Sequence, residues 1–246
     1  MFYHLRILIN KVEKKFNISL FFFFPLRSLL VIIEFFFLRN SKSLRKLSNY
    51  YLRNEMLRNK KINVISAGVG TDISFEEELL KKYKVKKLIL IDPTKESRIF
   101  LNNKKNKFIF KNKALYTENK KMKIYYQEGN VNLSLENLFN TKKYYLVKCI
   151  TLNEITKKYS IPRIDVLKLD IEGVADKVII KALLDNTKID QICFELERPL
   201  SLLKQYDYFL RYFKLIKILK KKNYMLFKCT MLKLGLRSEI LAIKYE

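Results

Sequence analysis

The chain has a single histidine, no tryptophan and only three cysteines in 246 residues. Because His4 is the only histidine, a mechanism that needs a histidine base or a histidine-rich metal site is not expected. The cysteines are widely spaced in apolar runs and match neither a disulfide framework nor a zinc-binding pattern; they are Cys149, Cys193 and Cys229. We therefore expect reduced core thiols, a cytoplasmic protein and no bound metal.

Acidic residues are also scarce, with 24 Asp and Glu against 50 Lys and Arg and a formal net charge of +26. Basic surface attracts polyanions such as nucleic acid. However, the lysines are scattered through every segment, and Lys, Asn, Ile, Phe and Tyr all have A/T-rich codons. A low-GC genome accounts for this bias, so a nucleic-acid partner is the less favoured alternative but stays open.

Residues 1–55 differ in composition from the rest, and we interpret them as an apolar and basic helical extension before a main domain of residues 56–246. Phe21–Phe24 is closed by Pro25, and the apolar run that follows ends at Leu38. As a helix, the 13 residues after Pro25 would be about 20 Å long, too short to span a bilayer. For residues 18–38, packing on protein, lying in a membrane surface and spanning a membrane all stay open.

From Asn63 onward, strand patterns alternate with helical patterns, which is typical of parallel crossover units. The pattern predicts an α/β fold with a Rossmann-like, open, mostly parallel seven-stranded sheet, helices on both faces and a C-terminal antiparallel hairpin. Residues 115–127 are predicted to form a further small hairpin. The predicted strands are 63–67, 87–91, 107–111, 145–150, 164–170, 189–195, 224–230 and 239–245, and the predicted helices are 73–83, 95–103, 152–158, 173–184 and about 200–220.

Two of the five glycines stand together in Gly68-Val69-Gly70, directly after the first of these strands. Asp92 ends the next strand, 22 residues after Gly70. This is the layout of a nucleotide-binding βαβ unit, in which the glycines allow a sharp turn and a close ligand and the acid suits ribose hydroxyls. Because Ile73 replaces the third glycine of dinucleotide sites, the sequence favours S-adenosylmethionine over NAD.

A second constellation ends the strand at 164–170. On a strand, Lys168, Asp170 and Glu172 share one face, and Glu195 ends the following strand. In open α/β sheets, ligands bind outside the carboxyl ends of the strands. Provided that this strand neighbours the first one, Asp170 and Glu172 are expected to face the same crevice as the glycine loop, with Glu195 at the same rim. The structural alternative is a Lys168–Asp170 ion pair with helix-capping acids.

The block Val166–Gly173, preceded by Thr151–Ile155, resembles the signature of FkbM-type methyltransferases, and the likeness runs from about Asn63 to Glu197. This resemblance implies an S-adenosylmethionine-dependent enzyme with the class I fold. It implies that the glycines approach the amino-acid part of the cofactor, that Asp92 binds the ribose, and that Asp170 lies near the reacting methyl group. The full implied cofactor set is Ser66, Gly68, Gly70, Asp72, Asp92, Ala114, Leu115 and Asp170, with the two residues at 114–115 near the adenine.

Two positions depart from the family pattern. Ser66 stands where class I enzymes usually have an acid that contacts the cofactor's amino group. Ala175, followed by Asp176, stands where the family often has a second glutamate.

The favoured function is O-methylation of a sugar hydroxyl or a similar small-molecule or glycan acceptor, which rests on the resemblance alone. An alcohol acceptor needs a proton acceptor, and without a usable histidine the catalytic candidates are Asp170, Glu172 and Glu195. Two alternatives stay open: a nucleic-acid (RNA) methyltransferase and a non-catalytic membrane-surface scaffold. Peripheral membrane contact through residues 18–38 is compatible with either the enzyme or the scaffold.

Overall fold

The computed structural model of the chain describes residues 39–40, 44–104, 108–127, 133–138, 140–197, 202–229 and 237–245. These residues form the strands β1 (Arg39–Asn40), β2 (Arg45–Leu47), β3 (Tyr50–Leu52), β4 (Ile62–Ala67), β5 (Val85–Ile91), β6 (Ile109–Lys111), β7 (Ala114–Leu115), β8 (Lys121–Tyr125), β9 (Tyr144–Ile150), β10 (Ile164–Leu169), β11 (Ile189–Glu197), β12 (Tyr224–Lys228) and β13 (Arg237–Lys244). The helices are α1 (Ser74–Lys82), α2 (Lys95–Asn102), α3 (Leu152–Lys158), α4 (Ala175–Leu184) and α5 (Leu202–Lys221).

The large sheet has the strand order β1-β12-β13-β11-β10-β4-β5-β6 in the described part of the chain. The neighbours from β11 to β6 are parallel, and β13 is antiparallel to both β11 and β12. The predicted mostly parallel α/β sheet with antiparallel closing strands is therefore confirmed. The eighth strand, β1, is a two-residue addition parallel to β12 at the edge.

Helices pack on both faces of this sheet, and its central strands are therefore buried on both sides. All six residues of β4 and of β10 are buried, and successive residues contribute to opposite faces. Ile65 packs in the core cluster under α3, α4 and α5, whereas Val64 packs in the cluster under α1 and α2. The carboxyl ends of these strands are thereby held between two layers of helices.

The predicted strand at 145–150 does not join the large sheet. β9 instead forms a separate three-stranded sheet, pairing in parallel with β7 and antiparallel with β8. From Leu146 to Cys149 its residues alternate between exposed (Leu146, Lys148) and buried (Val147, Cys149), which suits a strand covered on one face only. The hairpin predicted over 115–127 is also wrong, since β7 and β8 each pair with β9 and not with one another.

The helical prediction for residues 1–55 is wrong over β2 and β3, which form an antiparallel hairpin. Leu47 and Leu52 have no exposed surface and join the core cluster under α1. The predictions for residues 18–38 fall outside the described residues. No helix in the part of the chain that the structure describes is both long and apolar enough to cross a bilayer.

Candidate active site

A cavity of about 980 Å³ lies at the carboxyl ends of β4, β5 and β10. Its walls come from the β2–β3 hairpin, the glycine loop, the loop after β5, the β7–β9–β8 sheet and the segment after β10. The sequence-predicted residues that line it are Gly68, Gly70, Asp72, Asp92, Ala114, Leu115, Asp170 and Glu172. The acid-ended strands and the glycine loop therefore meet at one site.

The two loop glycines are required for different reasons. Gly68 has φ +75°, and a Cβ there would lie 1.9 Å from the backbone oxygen of Asp170. Gly70 has φ +54°, but the space where its Cβ would stand has no atom within 4 Å. Gly68 thus lets β4 pack against the end of β10, and Gly70 leaves room for a ligand to approach the backbone.

Asp92 holds the glycine loop while facing the cavity. Its Oδ2 accepts from the Gly70 amide at 3.0 Å, and its Oδ1 accepts from the Thr94 amide at 2.9 Å and the Thr94 hydroxyl at 2.5 Å. Only 4% of Asp92 is exposed. Because Oδ2 receives one of these three donors, it retains capacity for a ligand hydroxyl, which fits the ribose assignment.

Asp72 supplies an anionic group at the same wall. The backbone amide of Ser74 donates to its Oδ1 at 3.0 Å, and this hydrogen bond lowers the pKa of Asp72. The side chain is exposed to the cavity and ionised at neutral pH. It therefore suits a cationic ligand group such as the amino group of an amino acid.

Ser66 lies behind the cavity, where its hydroxyl donates to Oε1 of the buried Glu76. The Nζ of Lys168, which does line the cavity, is 3.7 Å from the same oxygen. In the described part of the chain, Lys168 is thus paired with Glu76, and not with Asp170 as the structural alternative supposed. The position usually held by a cofactor-binding acid instead belongs to a buried polar cluster of Ser66, Glu76 and Lys168.

Tyr50, in β3, is a site residue that the sequence did not indicate. Its hydroxyl donates to Oδ2 of Asp170 at 2.8 Å. Its ring packs edge-on against Phe75 with centroids 5.2 Å apart, and the Lys168 Nζ lies 5.0 Å from its centroid. Burial, and then the Asp170 carboxylate, raise the pKa of Tyr50 well above its ordinary value, so Tyr50 stays a hydrogen-bond donor.

The other two catalytic candidates differ in position. Glu172 lines the cavity, and its backbone oxygen accepts from the Ser134 hydroxyl at 2.7 Å. Glu195 lies in β11, opposite Glu239 of β13, and is not among the residues that line the cavity.

Among the described residues, no group of three or more His, Cys, Asp or Glu side chains could hold a metal ion.

Two tyrosines on the small sheet were also missed. Tyr126 and Tyr145 line the cavity, with ring centroids 6.0 Å apart. Burial, followed by the nearby carboxylates of Glu96 and Asp92, raises the pKa of Tyr145 to about 12. This places the phenol close to the ribose candidate Asp92, in a wall that suits a flat ring.

Asp176 belongs to the support of the site and does not line the cavity. Its Oδ2 lies 3.0 Å from the Nε of Arg211 in α5, and burial raises the pKa of Asp176. The same guanidinium donates to Glu136 at 2.8 and 3.1 Å and to the Gly173 backbone oxygen at 3.2 Å. This network ties α5 to the turn between β10 and α4.

Comparison with known proteins agrees with this geometry. The methyltransferase FkbM domain family matches residues 36–224, a range that includes the β2–β3 hairpin, the glycine loop and the candidate aspartates Asp72, Asp92 and Asp170. The crystal structure of methyltransferase FkbM from Methylobacillus flagellatus KT has a TM-score of 0.50 and 13% sequence identity. That match covers 81% of this chain and 48% of the crystallised protein, so the chain spans about half of its length.

More distant matches include the plantazolicin methyltransferase BpumL in complex with SAH, at TM-score 0.40 and 11% identity over 78% of this chain and 79% of that one. A ribosomal protein L11 methylase from Lactobacillus delbrueckii subsp. bulgaricus has a TM-score of 0.37 and 13% identity, over 78% and 74%. No curated protein sequence matches the chain. The family match covers well over half of the sequence, and it confirms the resemblance: the chain belongs to the methyltransferase FkbM domain family.

Proposed function

We propose that this protein methylates a hydroxyl group of a sugar or a similar small or glycan acceptor. The observation that carries the proposal is the position of Asp170, a carboxylate that lines the same cavity as Gly70 and Asp92. A hydroxyl acceptor must lose a proton, and a carboxylate within the cavity can accept it. The sugar class itself rests on the family resemblance.

The residues around the cavity fit S-adenosylmethionine. Gly70 leaves the backbone open to the amino-acid part, and Asp72 offers a carboxylate to its amino group. Asp92 would hold the ribose hydroxyls, with Ala114 and Leu115 beside the adenine. When bound there, the cofactor supplies a methyl group activated on a sulfonium.

Asp170 is the proposed proton acceptor. The Tyr50 hydroxyl donates to Oδ2 and leaves Oδ1 to accept a proton from the acceptor hydroxyl. Since the pKa of Tyr50 is raised, the phenol does not compete for that proton. Most of the rate is expected from holding the acceptor in a near-attack position, to which the proton acceptor adds.

Glu172 and Glu195 are the further candidates for this role. Glu172 lines the cavity, so it ranks directly after Asp170. Glu195 ranks last because it does not line the cavity. Peripheral membrane contact through residues 18–38 is part of the same proposal and is supported by their apolar and basic composition.

The test is methyl transfer by the full chain from S-adenosylmethionine carrying a labelled methyl group. Separate reactions would contain reducing sugars, oligosaccharides, short peptides and single-stranded RNA, and the labelled product would be located by mass spectrometry. We expect label on a sugar hydroxyl, and we expect it to be lost in Asp170→Asn. Label that appears only on RNA or only on peptide would overturn the proposed acceptor class.

A further inference from the structure

The antiparallel pair β8–β9 has two chemically different faces. Its register places Lys121 opposite Lys148, Lys123 opposite Leu146 and Tyr125 opposite Tyr144. These six residues share one side of the pair, which we call the outer face. On the other side, Ile124 and Tyr145 line the cavity and Val147 packs in the small core cluster beneath it.

The outer face is exposed and changes along the strands from a lysine pair at one end, through Lys123 and Leu146, to a tyrosine pair at the other end. Leu146 is 64% exposed and Tyr144 is 45% exposed. The Lys123 Nζ lies 4.1 Å from the Tyr144 ring centroid, and the Tyr125 and Tyr144 centroids are 5.9 Å apart. The remaining positions are the exposed Lys121 and Lys148, so none of the six residues is acidic.

The charge of this face indicates what could cover it. Lys121 and Lys148 stand directly opposite one another, and like charges in that arrangement destabilise a sheet. An anionic partner would remove this repulsion. A second copy of a chain with net charge +26 would not, and neither would residues 1–38, which contain more basic than acidic side chains.

We propose that the outer face docks on an anionic lipid bilayer. The exposed Leu146 would gain by burial at the boundary of headgroups and acyl chains, whereas nucleic-acid phosphates offer it no apolar contact. Tyr144 suits the same boundary because its ring is apolar and its hydroxyl polar. The lysines can extend their ammonium groups to anionic headgroups while their stems stay on apolar surface.

This surface goes beyond the proposed function because it depends neither on the acceptor nor on residues 18–38. Its position nevertheless matters for catalysis. Ile124 and Tyr145, on the same two strands, form part of the cavity wall. Docking would hold that wall, and the cavity behind it, at the bilayer surface.

The test compares two charge reversals in the full chain. Binding to phosphatidylcholine vesicles, with and without phosphatidylglycerol, would be measured by sedimentation for K121E/K123E/K148E. The matched control is K61E/K84E/K86E, which reverses three exposed lysines at the amino ends of β4 and β5, whereas the cavity lies at the carboxyl ends. Because each lysine near an anionic leaflet contributes roughly 5-fold to binding, we expect a loss on the order of 100-fold in the first variant.

We expect a much smaller loss, under about 5-fold, in the control, because salt screens charges beyond the Debye length. Melting and S-adenosylmethionine titration of each variant would separate lost docking from a lost fold or a lost cofactor site. If the three glutamates introduced in K121E/K123E/K148E impair folding, K121Q/K123Q/K148Q removes the same positive charges without placing negative charges next to one another. Equal losses in the two charge-reversed variants, or no binding of the wild-type chain to anionic vesicles, would overturn the proposal.

Leu146→Ser distinguishes lipid from nucleic acid. We expect it to weaken vesicle binding several-fold, since it removes apolar contact without changing charge. Binding of single-stranded RNA to the outer face would be insensitive to this substitution. RNA that binds more tightly than vesicles and displaces them would assign the face to nucleic acid and overturn the lipid proposal.

Discussion

One aspartate lies near each end of strand β10, Asp165 within the strand and Asp170 directly after it, and the two are held in opposite ways. Asp165, at the amino end, accepts from the Asn63 amide at 2.7 Å and lies 2.6 Å from the Lys60 Nζ. Asp170, at the carboxyl end, accepts from the neutral Tyr50 hydroxyl. The residue type is the same, but Asp165 is ion-paired with a lysine at the amino end, whereas Asp170 is held by a neutral donor at the carboxyl end.

The neighbouring strands repeat this difference. Asp190, at the start of β11, is ion-paired with Lys60 and Arg163 at 3.3 and 3.2 Å. Asp92, after β5, is held by backbone amides and a hydroxyl. We interpret the carboxylates with cationic partners as supports of the fold. The carboxylates held by neutral donors remain able to bind a polar or cationic group of a ligand.

The largest expected difference in turnover is between the variants Asp170→Asn and Asp165→Asn. If Asp170 takes the proton, its loss should lower turnover by roughly 100- to 10,000-fold with little change in melting temperature. Asp165→Asn should lower the free energy of unfolding by roughly 1–3 kcal/mol and leave turnover of the folded protein unchanged. Initial rates and urea unfolding of both variants would separate the two roles, and equal rate losses would remove the distinction.

The loop glycines provide the next comparison. Gly68→Ala adds backbone strain and a clash with the Asp170 oxygen, so unfolding should become easier by roughly 3 kcal/mol or more. Gly70→Ala has similar strain but no clash, and should cost about 1 kcal/mol while its methyl group intrudes on the cofactor. Chemical unfolding and cofactor titration of each variant are the measurements. If Gly70→Ala proved the less stable, the packing assigned to Gly68 would be wrong.

Asp92→Ala and Asp190→Ala should differ in cofactor affinity. Removing Asp92 deletes the proposed ribose contact and releases the Gly70 amide, which should weaken S-adenosylmethionine by about 1–3 kcal/mol, or roughly 5- to 150-fold. Asp190→Ala should leave the dissociation constant unchanged. Isothermal titration of both variants checks this, and an unchanged constant for Asp92→Ala would limit Asp92 to a structural role.

The smallest expected effect concerns the tyrosine hydroxyl. Tyr50→Phe keeps the ring packed on Phe75 but removes the donor to Asp170, so turnover should fall by up to about 10-fold. The matched control is Tyr224→Phe, which removes a buried hydroxyl that donates to the Ile189 backbone oxygen at 2.6 Å. The control should lose stability but not rate. A similar rate in Tyr50→Phe and wild type, across the pH range, would exclude a positioning role.

The parts of this molecule that depend on local patterns could be predicted from the sequence. Apolar runs located the strands of the large sheet, and the rule that ligands bind at carboxyl ends brought Gly68 and Asp170 to one edge. In contrast, apolar content reports how buried a strand is and not which strand it pairs with. This is why β9 was assigned to the wrong sheet.

Contacts between distant segments could not be predicted for a related reason. Tyr50 lies 120 positions before Asp170 and belongs to a segment whose composition suggested a helix. The family pattern implies a cofactor contact for Ser66 from its place two residues before Gly68, but no pattern in the sequence indicates that Glu76 lies behind the strand. Alternation of Leu47, Tyr50 and Leu52 around a polar turn was the one signal that could have indicated the hairpin.

The central claim is that the edge with neutral-donor carboxylates is an S-adenosylmethionine site and not a dinucleotide site. Calorimetric titration of the full chain with S-adenosylmethionine and with NAD, under the same conditions, tests this most directly. We expect saturable binding of S-adenosylmethionine and no comparable binding of NAD. The affinity for S-adenosylmethionine should fall in Asp92→Ala but not in Asp190→Ala. Tighter binding of NAD than of S-adenosylmethionine would contradict the claim.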